Sequence, residues 1–129
     1  MSKEITASFS LEYNDTVFEA LLDVSDKIYN SAGKRSFKDI QTITTSEVAI
    51  NLGGIANIGA FAIVNLDSTN YVELKVATSG AIFAKLTPDV DGDGHGGFVV
   101  GTCLGSAAQV PFAIANTASC KIAVLLIEQ

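Results

Sequence analysis

The chain of 129 residues contains no Trp, one His, one Met, two Cys and two Pro, and only 17% of it is charged. A single histidine, His95, cannot build a zinc site with two or three His or a multi-histidine centre of the cupin type. A nucleophile-His-acid arrangement would have to draw that His from a glycine-rich stretch beside Cys103, with no orienting motif nearby. Carboxylates that could be paired for glycoside hydrolysis exist in Glu47, Glu73 and the Asp cluster at 89–93, but no aromatic sugar platform accompanies them. The expectation is a protein that is not an enzyme. Eight Lys and Arg stand against fourteen Asp and Glu, giving a net charge of -6 and a pI of about 4.5. That balance excludes a basic footprint for nucleic acid or an anionic membrane. The opening Met1-Ser2-Lys3-Glu4-Ile5 has no apolar h-region, which predicts synthesis in the cytoplasm without a signal peptide. The apolar run Ile122–Ile127 falls far short of the ~20 residues that span a bilayer. Cys103 and Cys120 are therefore expected as reduced, buried thiols, with a disulfide as the alternative.

What is present is apolar and β-like. Hydrophobic residues make up 48% of the chain, with 11 Gly and a mean hydropathy of +0.37. A chain of this length can bury a core of its own, which predicts a single domain over 1–129, with 1–14 as an N-terminal arm or edge strand. Charge is spread unevenly. Residues 1–40 hold five of the eight basic groups and seven of the fourteen acids, whereas from Gly94 to Ile127 the one charged residue is Lys121. A free monomer normally carries charges of both signs over its surface, so the charge-poor third is expected to be covered by neighbouring subunits.

Period-2 alternation runs through most of the chain. Ile5, Ala7, Phe9 and Leu11 alternate with polar residues and predict a first strand. Residues 16–30 fit two templates. Val17, Leu21, Val24 and Ile28 suit a helix, with Thr16 and Glu19 as a capping box, while Ala20, Leu22 and Val24 suit a strand face. Agreement with the rest of the chain favours the strand. Further strands are expected at Phe37–Ile43, Val48–Leu52, Ala60–Leu66, Tyr71–Ala77, Ile82–Leu86, Phe98–Leu104, Pro111–Asn116 and Cys120–Ile127, separated by turn signals. The continuously apolar run from Ala60 reads as an internal strand, and Phe9, Phe18, Phe61, Phe83, Phe98 and Phe112 read as core. The fold class is all-β: an antiparallel sandwich of eight to nine strands, jelly-roll-like.

The stretch Gln41-Thr-Ile-Thr-Thr-Ser46-Glu47-Val-Ala-Ile-Asn-Leu52-Gly53 is followed by Gly59-Ala-Phe-Ala-Ile-Val-Asn65-Leu66-Asp67-Ser-Thr-Asn70-Tyr71-Val72-Glu73-Leu74. With its Q-x-I-x-T-S-E strand and NLD-x-x-NYVE hairpin, it resembles small β-rich structural proteins of tailed bacteriophage particles. The resemblance covers roughly a third of the chain and implies a virion part, with a capsid decoration or cement protein as the member type that fits the size and the charge-poor surface. It further implies a homotrimer seated on the major capsid protein or another virion protein. Asn65, Asp67 and Asn70 have a reading that needs no family, since short polar side chains in turns hydrogen-bond the local backbone.

Asp89-Val-Asp91-Gly-Asp93-Gly94-His95 matches the opening D-x-D-x-D-G of a calcium loop, in which three carboxylates converge on one hard cation and Gly allows the sharp turn. Position 12 is Val100 and the flanks read as strands, which excludes an ordinary EF-hand. The candidate metal site is therefore Asp89, Asp91 and Asp93 for Ca2+, with an exposed acidic hairpin loop as the plainer reading. In the resembling phage proteins this region is a short turn, so the loop is a departure from their pattern. Two functional classes remain: a decoration protein of the capsid, or a tail, fibre or connector component that binds a receptor or carbohydrate.

Overall fold

β-Branched and aromatic residues at alternate positions build ten strands, and no helix occurs among the described residues. The computed structural model describes residues 3–14, 19–31, 35–102 and 111–128. Two compact units are present, Met1–Ala32 and Gly33–Gln129.

The first unit is an antiparallel ribbon of β1 (Lys3–Asn14) and β2 (Glu19–Ser31). The strand reading of the ambiguous segment holds for 19–31, while 16–18 lie outside the described residues. Pairing shifts register between Ala7 and Phe9, the mark of a β-bulge. Beyond it Leu11 pairs with Leu22, and the two are 68% and 58% exposed.

The second unit holds eight strands: β3 (Ser36–Ile43), β4 (Val48–Ala49), β5 (Ile58–Asn65), β6 (Val72–Lys75), β7 (Ile82–Leu86), β8 (Phe98–Thr102), β9 (Phe112–Ala115) and β10 (Cys120–Glu128). They form two four-stranded sheets with spatial orders β3-β10-β5-β8 and β4-β9-β6-β7, and every pairing is antiparallel. Counted within this unit, the orders are 1-8-3-6 and 2-7-4-5, the interleaved pattern of a jelly roll. The ten strands are the eight of this sandwich and the two of the N-terminal hairpin.

The core lies between the sheets. Ile43, Ile63, Ile122, Val124 and Leu126 from one meet Val72, Leu74, Leu86, Ala113 and Ala115 from the other, and Ile50 and Ile55 close one end. β5 and β8 approach through Gly101. A methyl group there would stand 2.8 Å from the Phe61 ring, so the ring occupies the space a side chain would need.

Local bonding shortens several strands. β4 was expected to reach Leu52 and ends at Ala49; Ile50 N still donates to Pro111 O at 3.0 Å, and at Asn51 the Gln41 side chain supplies the bonds, its Nε2 donating to the Asn51 carbonyl and its Oε1 accepting from the Asn51 amide, each at 2.9 Å. β6 stops at Lys75, where the pairing with β7 shifts register. Just beyond, Glu47 bonds Lys75 Nζ and accepts from the Ser79 amide, which fixes the turn. The Lys75 bond is the main reason the Glu47 carboxyl lies below its ordinary pKa.

Candidate functional site

Alternate positions of β3, β10, β5 and β8 point away from the core, and register aligns them in rows. One row runs Ile40, Ala123, Val64, Phe98, and the next runs Lys38, Leu125, Ala62, Val100. Phe98 is 71% exposed, with Ile40, Val100 and Leu125 also exposed. Lys38 and Lys121 stand on the same face, and no carboxylate occupies the outward positions of these four strands. At strand spacings of about 4.8 Å the patch covers roughly 300 Å². That matches the largest patch of an ordinary monomer, which is often functional. It is well below the ~800 Å² per partner of a standard interface, so it has the size of an interface core that would need a polar rim.

This face corrects one expectation. Phe98 on this face was read as core and is exposed, as is Phe83 on β7 of the other sheet. Phe61 and Phe112 are half-buried, and the side chains of Phe9 and Phe18 lie outside the described residues. The apolar run of β5 is the internal strand it was expected to be, since β5 lies between β10 and β8 and none of its residues is exposed.

The NLD-x-x-NYVE hairpin is tied together by its own side chains. Asn65 has no exposed surface. Its Nδ2 donates to the carbonyls of Asn70 at 2.8 Å, Leu86 at 3.1 Å and Thr87 at 3.2 Å, and its Oδ1 accepts from the Asp67 amide at 3.0 Å. Asp67 Oδ2 accepts from the amides of Asn70 and Thr69, which hold its carboxyl below the ordinary range, the Asn70 bond first. Asn70 Oδ1 in turn accepts from Thr117 Oγ1 at 2.6 Å. Every polar atom of the motif with a described bond serves the fold. Beneath it Cys120 is a buried free thiol whose pKa is raised, first by burial and then by the charge of Asp67. Cys103 lies outside the described residues.

The acidic loop is organised around one carboxylate. Asp89 is buried, and its Oδ1 accepts from the amides of Gly92 (2.9 Å) and Asp93 (3.3 Å) while Oδ2 accepts from Gly94 (2.8 Å). These bonds, Gly94's foremost, hold its carboxyl below the ordinary range. Gly92 and Gly94 have φ of +75° and +97°, which lets the chain wrap the carboxylate. The loop base is anchored by Gly96 N to Asn65 O and Gly97 N to Thr87 O. Asp91 and Asp93 are exposed, and Val90 at the tip is 79% exposed. Asp89 thus faces the loop's own amides. Among the described residues no three His, Cys, Asp or Glu side chains come together as a metal-binding group.

Residue type does not show how far Asn65 and Gln41 reach, since Asn65 bonds Leu86 and Thr87 and Gln41 bonds both backbone groups of Asn51. The outward face had a signal, namely apolar residues at consecutive rather than alternate positions of β5 and β10. No protein family, curated protein or solved structure matches the chain.

Proposed function

We propose that the chain is a non-enzymatic structural protein of a phage particle, a capsid decoration protein that stabilises the head shell through homo-oligomeric contacts, with the trimer as its unit. The observation that carries this reading is the outward face of the β3-β10-β5-β8 sheet. It is apolar, carries lysines but no acids, and draws half of its two rows, Phe98, Val100, Ala123 and Leu125, from the charge-poor C-terminal third. Jelly-roll topology and the resemblance of residues 41–74 to phage particle proteins agree with it, although fold by itself does not assign function. A second reading, a receptor- or carbohydrate-binding tail, fibre or connector module, draws on the exposed Phe98. It is less well supported because the neighbours of Phe98 in its row are Ile40, Ala123 and Val64, which offer a sugar no hydrogen-bonding side chain.

Sedimentation velocity and light scattering on the purified chain test the proposal. The wild type should run as a closed oligomer, and Phe98→Glu should dissociate it with an unchanged far-UV spectrum. A monomeric wild type that binds glycans would overturn the reading in favour of the second. In particles, a copy number on the order of hundreds is expected from a shell position, against a dozen or fewer for a connector or tail part.

A further inference from the structure

The sequence places glycine after aspartate twice within the 89–95 loop, at Asp91-Gly92 and Asp93-Gly94. An Asp-Gly bond can rearrange without a catalyst. The glycine amide nitrogen attacks the aspartate Cγ and a C–N bond forms. The amide proton and the carboxyl hydroxyl leave as water, giving a succinimide ring. Water then adds to either ring carbonyl, restoring the normal linkage or producing isoaspartate, whose backbone runs through the side chain and is longer by one methylene. Overall mass is unchanged. Glycine favours the attack because no Cβ hinders its nitrogen, and at both Gly92 and Gly94 the space around the Cβ position is open to beyond 4 Å.

The loop geometry treats the two bonds differently. Both attacking nitrogens are occupied by one residue, since Gly92 N donates to Asp89 Oδ1 at 2.9 Å and Gly94 N donates to Asp89 Oδ2 at 2.8 Å. A charge-assisted bond to a carboxylate keeps the proton on the nitrogen and directs it away from its own aspartate. Asp93 has a second restraint, because its Oδ1 accepts from the His95 amide at 2.9 Å, which turns the carboxyl toward residue 95 and away from Gly94 N. Among the described hydrogen bonds none holds the exposed Asp91 carboxyl.

We infer that Asp91-Gly92 is a site of spontaneous isoaspartate formation, the more reactive of the two Asp-Gly bonds, and that Asp89 is the positioning residue that slows the reaction there and at Asp93-Gly94. The inference is independent of the proposed role in a particle. It bears on any long-lived state of the chain, because a methylene inserted at residue 91 breaks the spacing by which Gly92, Asp93 and Gly94 converge on Asp89.

The full chain is incubated in mildly acidic buffer at physiological temperature, folded or unfolded in urea, and isoaspartate is located by peptide mapping with enzymatic methylation and electron-transfer fragmentation. Both bonds should react several-fold more slowly in the folded chain, with Asp91 ahead of Asp93, and Asp89→Asn should accelerate both and narrow the gap. Amide hydrogen exchange on the wild type gives a readout that needs no variant, with Gly92 and Gly94 protected relative to the unfolded chain. Asp93 reacting ahead of Asp91, either bond reacting as fast folded as unfolded, or unprotected Gly92 and Gly94 amides would each overturn the inference.

Discussion

Replacing Asn65 by Ala should be among the most damaging single polar substitutions in the sandwich. The side chain has no exposed surface and makes four hydrogen bonds, three as donor and one as acceptor. Thr87 O keeps a partner after truncation, because Gly97 N also donates to it at 2.8 Å. The Asn70 carbonyl is left with only the Cys120 sulfur at 3.9 Å, and the Asp67 amide and Leu86 carbonyl lose the Asn65 bonds outright. Two to three buried groups at about 1–3 kcal/mol each, with some relaxation, come to roughly 3–5 kcal/mol. With a urea m-value of about 2 kcal/mol/M, the unfolding midpoint should fall by about 2 M. Asn65→Asp, of the same shape, should be no better tolerated, since it aims an acceptor at three carbonyls and buries a charge. Thr117→Val removes a single bond to Asn70 and should cost only about 1 kcal/mol. Urea titration followed by far-UV circular dichroism measures all three. A loss below about 1 kcal/mol in Asn65→Ala, the size expected of an ordinary exposed residue, would refute the claim that this side chain joins three segments.

Three further outcomes are expected. Glu47, Asp67 and Asp89 each have a folded pKa below the ordinary carboxyl value. Their stabilisation is therefore complete above the unfolded-state value of about 4 and is lost as pH falls through the lower folded values, so the melting temperature should drop on acidification and drop less in Asp67→Asn. Gly101→Ala places a methyl group 2.8 Å from the Phe61 ring and should cost about 1–3 kcal/mol in urea unfolding. Phe61→Leu in the same background should recover part of that loss. Asp89 accepts three loop amides and keeps lone-pair capacity, so a calcium site on Asp89, Asp91 and Asp93 requires a calcium-dependent rise in melting temperature that Asp91→Ala abolishes, and coinciding curves in calcium and in chelator would end it.

Strand positions were legible because alternating β-branched residues specify one covered face over short distances. Val72 and Leu74 point inward as their alternation predicts, and β2 is a strand despite its helix-compatible spacing. Alternation does not say what lies beyond the sheet, which is why Phe98 looked like core and is exposed. Strand order was beyond reach for a related reason, since β10 pairs with β3 and β5 through contacts that leave no local pattern. The metal-like spacing of Asp89, Asp91 and Asp93 was read from residue types whose orientation depends on backbone turns. Gly92 and Gly94 direct three amides at Asp89, bonds of which D-x-D-x-D-G carries no sign. Asn65 was assigned correctly to turn chemistry, but its reach to Leu86 and Thr87 spans more than twenty residues and could not be foreseen.

The place of β10 between β3 and β5 has a consequence for how the chain is made. During synthesis β3 and β5 are available early, yet the strand that joins them is the last of the ten to leave the ribosome. Until then their facing edges have open amides and carbonyls, and their inward residues have no sheet of full width to lie in. The sandwich therefore cannot close progressively from its N-terminal side, as a meander could, and its completion waits on a long-range pairing of the kind that folds slowly. A ribosome paused before residue 120 would hold a chain with two unpaired internal strand edges, the form most open to joining the wrong neighbour.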